Sequence, residues 1–454
     1  MLCPRLKKLK CALVVSAAFC VLIGPYQWLK GSTIDDRIYY DEPVKLHFGD
    51  KKDSTLHLTD PLLNQELQSF KCVRLFQNDS VEMAKAATFL SNLNYSFSRR
   101  QDEEFLELAS NCDQFKKDWG FFVYPPSQEE TSFPIAFSIL FHENVEQLTR
   151  LLRAIYRPQN QYCIHIDGKA PGSIIEIVTR ISSCFPNVFI ASKLEIVIYA
   201  SATRLDADIN CMKDLVQNGE DWKYLLNLAA SEFPIMSNLQ IVQILQEFNG
   251  SNDIYETFST MDRGRFKKRY YTYIDLRNKS GYIIHSNDHK DPPPHGLKIT
   301  KGNAYNVFSR KFVEWALKDR IARDLLAWVQ DTLTPDEHYW ATLNNLFSNP
   351  SLKTPGGYKG HPDKRPSFGR YIGWSSPVHK DRCKAGRYIH NICTFGVLDL
   401  PVLWKRNEII ANKFDIQYDP IAYKCMEELI LNNSVEKRGV SRRPLYRRIA
   451  QLGV

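Results

Sequence analysis

The chain has 454 residues, 44% of them hydrophobic and 12% aromatic, which describes a folded globular core and excludes a disordered chain. Its net charge of +8 sits at the two ends: residues 1–30 carry Arg5, Lys7, Lys8, Lys10 and Lys30 with no acid, and residues 435–454 carry six basic residues against Glu436. The remainder is −2, so a basic face for nucleic acid is not supported.

In chain order, residues 1–10 form a short basic segment ahead of an apolar stretch at 11–29. We expect a cytoplasmic tail followed by an uncleaved signal-anchor helix, because no small-residue cleavage site follows and Tyr26, Trp28 and Leu29 are bulky. The body then lies in the lumen as a single-pass type II membrane protein. Of the 11 cysteines, Cys3, Cys11 and Cys20 lie in or beside that stretch, and eight remain, an even number that suits disulfides in an oxidising compartment. None of the eight has zinc spacing. Asn78, Asn94, Asn249, Asn278 and Asn432 each open an N-x-S/T triplet that fits a glycosylated protein of the secretory pathway.

Residues 30–130 read as a polar, irregular stem and N-terminal lumenal region with scattered charged helical stretches such as Asp102–Leu108. A catalytic domain is expected over 131–434. It opens on the buried-strand run Phe133–His142 and a helix over Val145–Tyr156. A strand Tyr162–Asp167, helix Ile174–Phe185, strand Asn187–Ala191, helix Ala202–Val216, strand Trp222–Leu228 and helix Leu239–Phe248 follow. That alternation predicts an α/β fold with a mainly parallel sheet and a ligand at the carboxyl ends of its strands. No phosphate-binding glycine loop and no GxSxG elbow occurs. Asp206-Ala207-Asp208 spells a metal-binding acidic triplet, but it lies within a predicted helix, where residues two apart diverge by about 200°. Residues 351–390 are expected to form long loops over the site, and 435–454 a solvated basic tail.

Thr334-Pro335-Asp336-Glu337 carries the strongest chemical signal. Taken alone it is a capping box in which Glu337 satisfies backbone N–H groups. In a lumenal α/β domain, Glu337 becomes a candidate general base.

From Phe133 to Cys425 the chain resembles the core 2 and I-branching β-1,6-N-acetylglucosaminyltransferases. The resemblance rests on Leu151–Asn160, Tyr162–Asp167, Asn187–Lys193, Ala207–Met212, Gly302–Tyr305, Thr334–Trp340 and Ala411–Asp415. It implies a GT-A-like fold with a Rossmann-like nucleotide-sugar region, a Golgi membrane location, and inverting transfer of GlcNAc from UDP-GlcNAc without a divalent metal. It implies a glycoprotein glycan as acceptor, a core 2 O-glycan first and poly-N-acetyllactosamine (I-branching) second. A catalytically silent relative that binds glycan or a partner enzyme is the alternative. Carried over by position, Leu140, Phe141, His142, Asp167, Gly168, Lys169 and Tyr199 would line the donor pocket. Glu337 would be the base and Lys413 a cation on the diphosphate. A second cation falls on His390, with Arg387 three residues earlier. Glu256, Arg265 and Trp374 would meet the acceptor. The family's pairing would join Cys72–Cys425, Cys112–Cys184, Cys163–Cys211 and Cys383–Cys393. Where the family has Cys-Gly-x-Asp, this chain has Ala229-Ala230-Ser231-Glu232.

Overall fold

The computed structural model describes residues 65–92, 101–121, 124–259, 263–375 and 383–452. The expected anchor at 11–29 and the triplet at Asn94 lie outside the described residues. Among the described residues, no helix is long and apolar enough to cross a membrane.

Four strands form the parallel part of the central sheet: β1 (Ile135–Phe141), β2 (Gln161–Ile166), β3 (Val188–Ile190) and β4 (Tyr224–Ala229). β1 pairs in parallel with β2 and with β4, and β2 with β3. The strand Val307–Ser309 adds an antiparallel edge beside β4, so the order runs 307–309, β4, β1, β2, β3. Every residue of β2 is buried, as a strand covered on both faces requires. Helices Val145–Ile155, Gly172–Ser183, Ala202–Gln217 and Asn238–Phe248 supply the covering layers, within two residues of the predicted bounds. Asn144, Ser201 and Ser237 accept hydrogen bonds from backbone N–H groups at three of their N-termini, which fixes where those helices begin. A second sheet of three short strands, Arg370–Ile372, Ile410–Asn412 and Phe233–Pro234, stands beside the carboxyl end of β4.

Two expectations need correction. The described part of 30–130 is not an irregular stem: five helices between Gln65 and Asp118 bury Phe76, Phe105, Phe115 and Trp119. Their apolar stripes are too short to stand out as a period, and disulfides Cys72–Cys425 and Cys112–Cys184 tie them to the domain. Nor is the basic C-terminal segment a loose tail. Arg443–Leu452 is a helix that buries Tyr446 and Ile449, three residues apart, while Arg443 and Arg447 pair with Glu129 and Glu247. Two further disulfides, Cys163–Cys211 and Cys383–Cys393, complete the four pairs that the family pattern implied. Asn78, Asn249 and Asn278 are exposed, and Asn432 is half-buried on the helix Pro420–Val435.

Candidate active site

The helix Asp336–Asn344 begins just after Thr334, which takes a left-handed conformation (φ 49°). No side chain caps this helix, so the capping-box reading fails. The Thr334 hydroxyl donates to the Leu333 carbonyl and accepts from Arg265 Nη1 at 2.7 Å. The Glu337 carboxylate turns away from the backbone. Its Oε2 lies 2.5 Å from Arg265 Nη1 and 3.8 Å from Lys301 Nζ, with the side chain 24% exposed. An acid so placed is reachable from solvent and neutralised by two cations that a bound molecule could displace.

A single loop, 195–200, links this acid to the sheet. Asp167 follows β2 and is buried; its Oδ1 accepts from the N–H groups of Lys169 (2.9 Å) and Val197 (3.2 Å). Lys169 Nζ donates to the Val197 carbonyl and pairs with Asp167 at 3.4 Å. Gly168 sits so close to the loop that an added Cβ would lie 3.1 Å from the Glu195 carbonyl oxygen. Two residues beyond Val197, Tyr199 is 70% exposed and stacks on His390 with ring centroids 4.7 Å apart. Ala200 accepts from the Thr334 N–H at 2.7 Å, which closes the connection to Glu337. The ends of β1 and β2 meet here as well: Asp167 N–H donates to the Phe141 carbonyl, Ala230 N–H donates to that of Leu140, and His142 is exposed.

His390 and Asn391 both have positive φ (52° and 63°) and form the two-residue turn of a hairpin, Tyr388–Ile389 with Ile392–Cys393. Trp374, 40% exposed, bridges to Ile392 beside that turn. On the other side of the hairpin Thr394 N–H donates to the Arg387 carbonyl, and Lys413 N–H to that of Cys393. Arg387 pairs with Asp415 at 3.2 Å and covers the Tyr418 ring. Burial lowers the Lys413 ammonium below its ordinary pKa; Asp415 opposes this shift and Arg387 adds to it. Arg387 and Lys413 therefore present two neighbouring cations, whereas His390 is turned to Tyr199.

Glu256 does not join this group. It is 1% exposed, and its carboxylate accepts from the side-chain amides of Asn344 and Asn345, about two helical turns beyond Glu337. Burial pushes its carboxyl up to about 7. The acidic triplet separates as its helix demands. Asp206 accepts from Gln330 at 3.1 Å, while fully buried Asp208 pairs with Arg204 at 3.0 Å. Arg204 also pairs with Asp336 at 3.1 Å and lies over Tyr305. This buried group backs the helix turn that carries Glu337. It went unread in the sequence, although Tyr305 and Asp336 stand inside the motifs quoted above. Lys301 went unread too, one residue before the Gly302–Tyr305 segment.

Residues 135–403 match the family model "Core-2/I-Branching enzyme". The chain is 39% identical over 377 residues to the human protein named β-1,3-galactosyl-O-glycosyl-glycoprotein β-1,6-N-acetylglucosaminyltransferase 3, covering 80% of this chain and 83% of that one. A second human protein, β-1,3-galactosyl-O-glycosyl-glycoprotein β-1,6-N-acetylglucosaminyltransferase, is 36% identical over 376 residues, 80% of this chain and 86% of its own. A protein of the same name from Bovine herpesvirus 4 (strain LVR140) is 37% identical over 394 residues, 84% and 87% of the two chains. With its motifs, its mainly parallel α/β core and these matches, the chain belongs to the Core-2/I-branching enzyme family.

Proposed function

We propose that this chain is a β-1,6-N-acetylglucosaminyltransferase that moves GlcNAc from UDP-GlcNAc to a galactose or GalNAc of a glycoprotein glycan, inverting the anomeric centre without a metal. It would do so in the Golgi lumen, on a GT-A-like domain held by an N-terminal anchor. The observation that carries the reading is the half-buried Glu337 carboxylate, joined through Thr334 and Ala200 to the loop that holds Asp167 and Tyr199.

The chemistry follows from those positions. The acceptor hydroxyl oxygen forms the new bond to the anomeric carbon as the bond from that carbon to the UDP oxygen breaks. Glu337 takes the hydroxyl proton, provided the acceptor displaces Arg265 from it. The electron pair leaves with the diphosphate, whose growing charge needs cations in a water-poor setting. Lys413 and Arg387 supply them, and burial of Lys413 strengthens its pull on an anion. Tyr199 and His390 offer a flat aromatic wall beside the same loop. The printed names of the relatives favour an O-glycan acceptor that carries β-1,3-galactose, ahead of poly-N-acetyllactosamine.

A silent relative is the second reading. Its support is His390, which stacks on Tyr199 at the position where the resemblance to the core 2 members implies an arginine. The test offers the protein UDP-GlcNAc in EDTA with Galβ1-3GalNAc or a poly-N-acetyllactosamine chain, and reads product linkage. A β-1,6-GlcNAc product on Galβ1-3GalNAc is expected. No product from protein that binds UDP would favour the silent relative.

A further inference from the structure

Lysine is a flexible arm, so its value as a clamp depends on how firmly its own backbone is held. The Lys413 backbone itself bonds to Cys393 and Phe395, and the two residues beside it are held by one short segment, Ala229–Glu232, at the carboxyl end of β4. Ser231 accepts from the Phe414 N–H at 2.8 Å, on one side of the lysine. On the other side, Asn412 Nδ2 donates to Glu232 Oε1 at 2.9 Å. Glu232 is fully buried, and both carboxylate oxygens are occupied: Oε1 also accepts from Arg370 Nε (3.0 Å), and Oε2 from the Ala229 N–H (3.1 Å). Arg370 in turn donates to the carbonyls of Gly369 and Asn227, so the pair joins the second sheet to β4. Gln147 Nε2 donates to the Phe414 carbonyl, and its Oε1 accepts from Ile416 N–H, which continues the grip past the lysine.

We propose that Glu232 is a positioning residue for Lys413: its carboxylate, through Asn412, and the neighbouring Ser231 carbonyl fix the two residues that flank the lysine and so aim its ammonium at the donor diphosphate. The inference rests on the reading of Lys413 as a diphosphate cation. It gives a role to the place where this chain departs from the family's Cys-Gly-x-Asp. A carboxylate with three donors at zero exposure is a fixed strut, because neither it nor Arg370 can move without leaving a buried charge unpaired. Burial pushes the Glu232 carboxyl above its ordinary pKa, and Arg370 and the hydrogen bonds offset only part of that shift.

The test is a double-mutant cycle on UDP affinity in the full chain, with a melting curve for every variant. Lys413→Ala alone should weaken UDP about ten- to hundredfold, the value of one charged contact. Glu232→Gln and Asn412→Ala should each weaken UDP about three- to tenfold in the natural background, but less than about twofold once Lys413 is alanine. A merely structural role would weaken UDP equally in both backgrounds, and that result overturns the proposal. Unchanged affinity in both single variants overturns it as well. Should Glu232→Gln fail to fold, Asn412→Ala decides, since it leaves the Glu232–Arg370 pair intact. If Lys413→Ala itself leaves UDP binding unchanged, the reading of Lys413 falls, and the inference with it; that outcome differs from additivity and cannot be confused with it.

Discussion

The two ends of the candidate site are built differently. At the proposed donor end, Lys413 is set in a frame of buried strands: Glu232, Arg370 and Asn412 are all under 9% exposed, and the bonds from Glu232 to Arg370 and to Asn412 join segments far apart in sequence. At the proposed acceptor end, Glu337, Arg265 and Lys301 are 24%, 27% and 21% exposed and meet through ion pairs. Arg265 comes from the turn before a long two-stranded hairpin, Lys268–Asp275 with Ser280–His289, whose Tyr271, Tyr273 and Tyr282 lie open to solvent. A frame of buried hydrogen bonds resists change, because each broken bond strands a polar group without water. Exposed ion pairs contribute little to stability and exchange readily. On the proposed assignment, the donor end is formed before substrate arrives, and the acceptor end carries an ion pair that substrate must replace.

Substitutions can break this contrast, and the largest effect belongs to the base. Glu337→Gln keeps the shape and removes the proton acceptor. Turnover should fall by about 10²- to 10⁴-fold with UDP affinity nearly unchanged, as calorimetry and initial rates would show. Retained turnover would return Glu337 to a structural role. Next comes Lys413→Ala, with its ten- to hundredfold loss of UDP affinity, roughly 1.5–3 kcal/mol. Arg265→Ala sharpens the contrast. It should raise the KM for the acceptor by roughly tenfold and leave UDP affinity alone, because Arg265 bonds to Glu337 and Thr334. A UDP effect as large as the acceptor effect would mean that the two ends are not separate.

Two smaller effects probe the donor end. Arg387→Ala should weaken UDP by several fold and His390→Ala by less, since Arg387 shares the Lys413 neighbourhood and His390 is turned to Tyr199. The reverse order would put the second cation back at His390. UDP affinity should also fall as pH rises. Burial lowers Lys413, so its positive charge is lost at a pH below its ordinary value of 10.5. Titrating UDP from pH 7 to 10 should show the decline begin early, and Lys413→Arg should flatten it, since a guanidinium does not titrate there.

How legible each end was in the sequence follows the same division. The sheet could be read because β1, β2 and β4 are apolar runs set between helical periods, and burial on both faces writes itself into composition. Glu337 could be found because a local motif marks it. The frame around Lys413 could not: Glu232, Arg370 and Asn412 come from three distant segments, and no periodicity joins them. The same holds for Arg204, Asp208, Tyr305 and Asp336, where the acidic triplet drew attention for the wrong chemistry. Apart from the stretch at Asp102–Leu108, the helices at 65–118 and the helix Arg443–Leu452 were hidden by charge. Their buried residues, such as Tyr446 and Ile449, form stripes only one or two turns long. The expectation at Glu256 came from resemblance alone, and the carboxylate proved to be enclosed by Asn344 and Asn345.

The most direct measurement is a crystal structure of the protein with UDP and Galβ1-3GalNAc bound together. The account predicts that Arg265 has left Glu337, that the acceptor 6-hydroxyl stands within hydrogen-bond reach of that carboxylate, and that Glu232, Arg370, Asn412 and Lys413 superimpose on the positions described here. An acceptor bound with the Arg265–Glu337 pair intact, or a donor frame rebuilt around UDP, would contradict it.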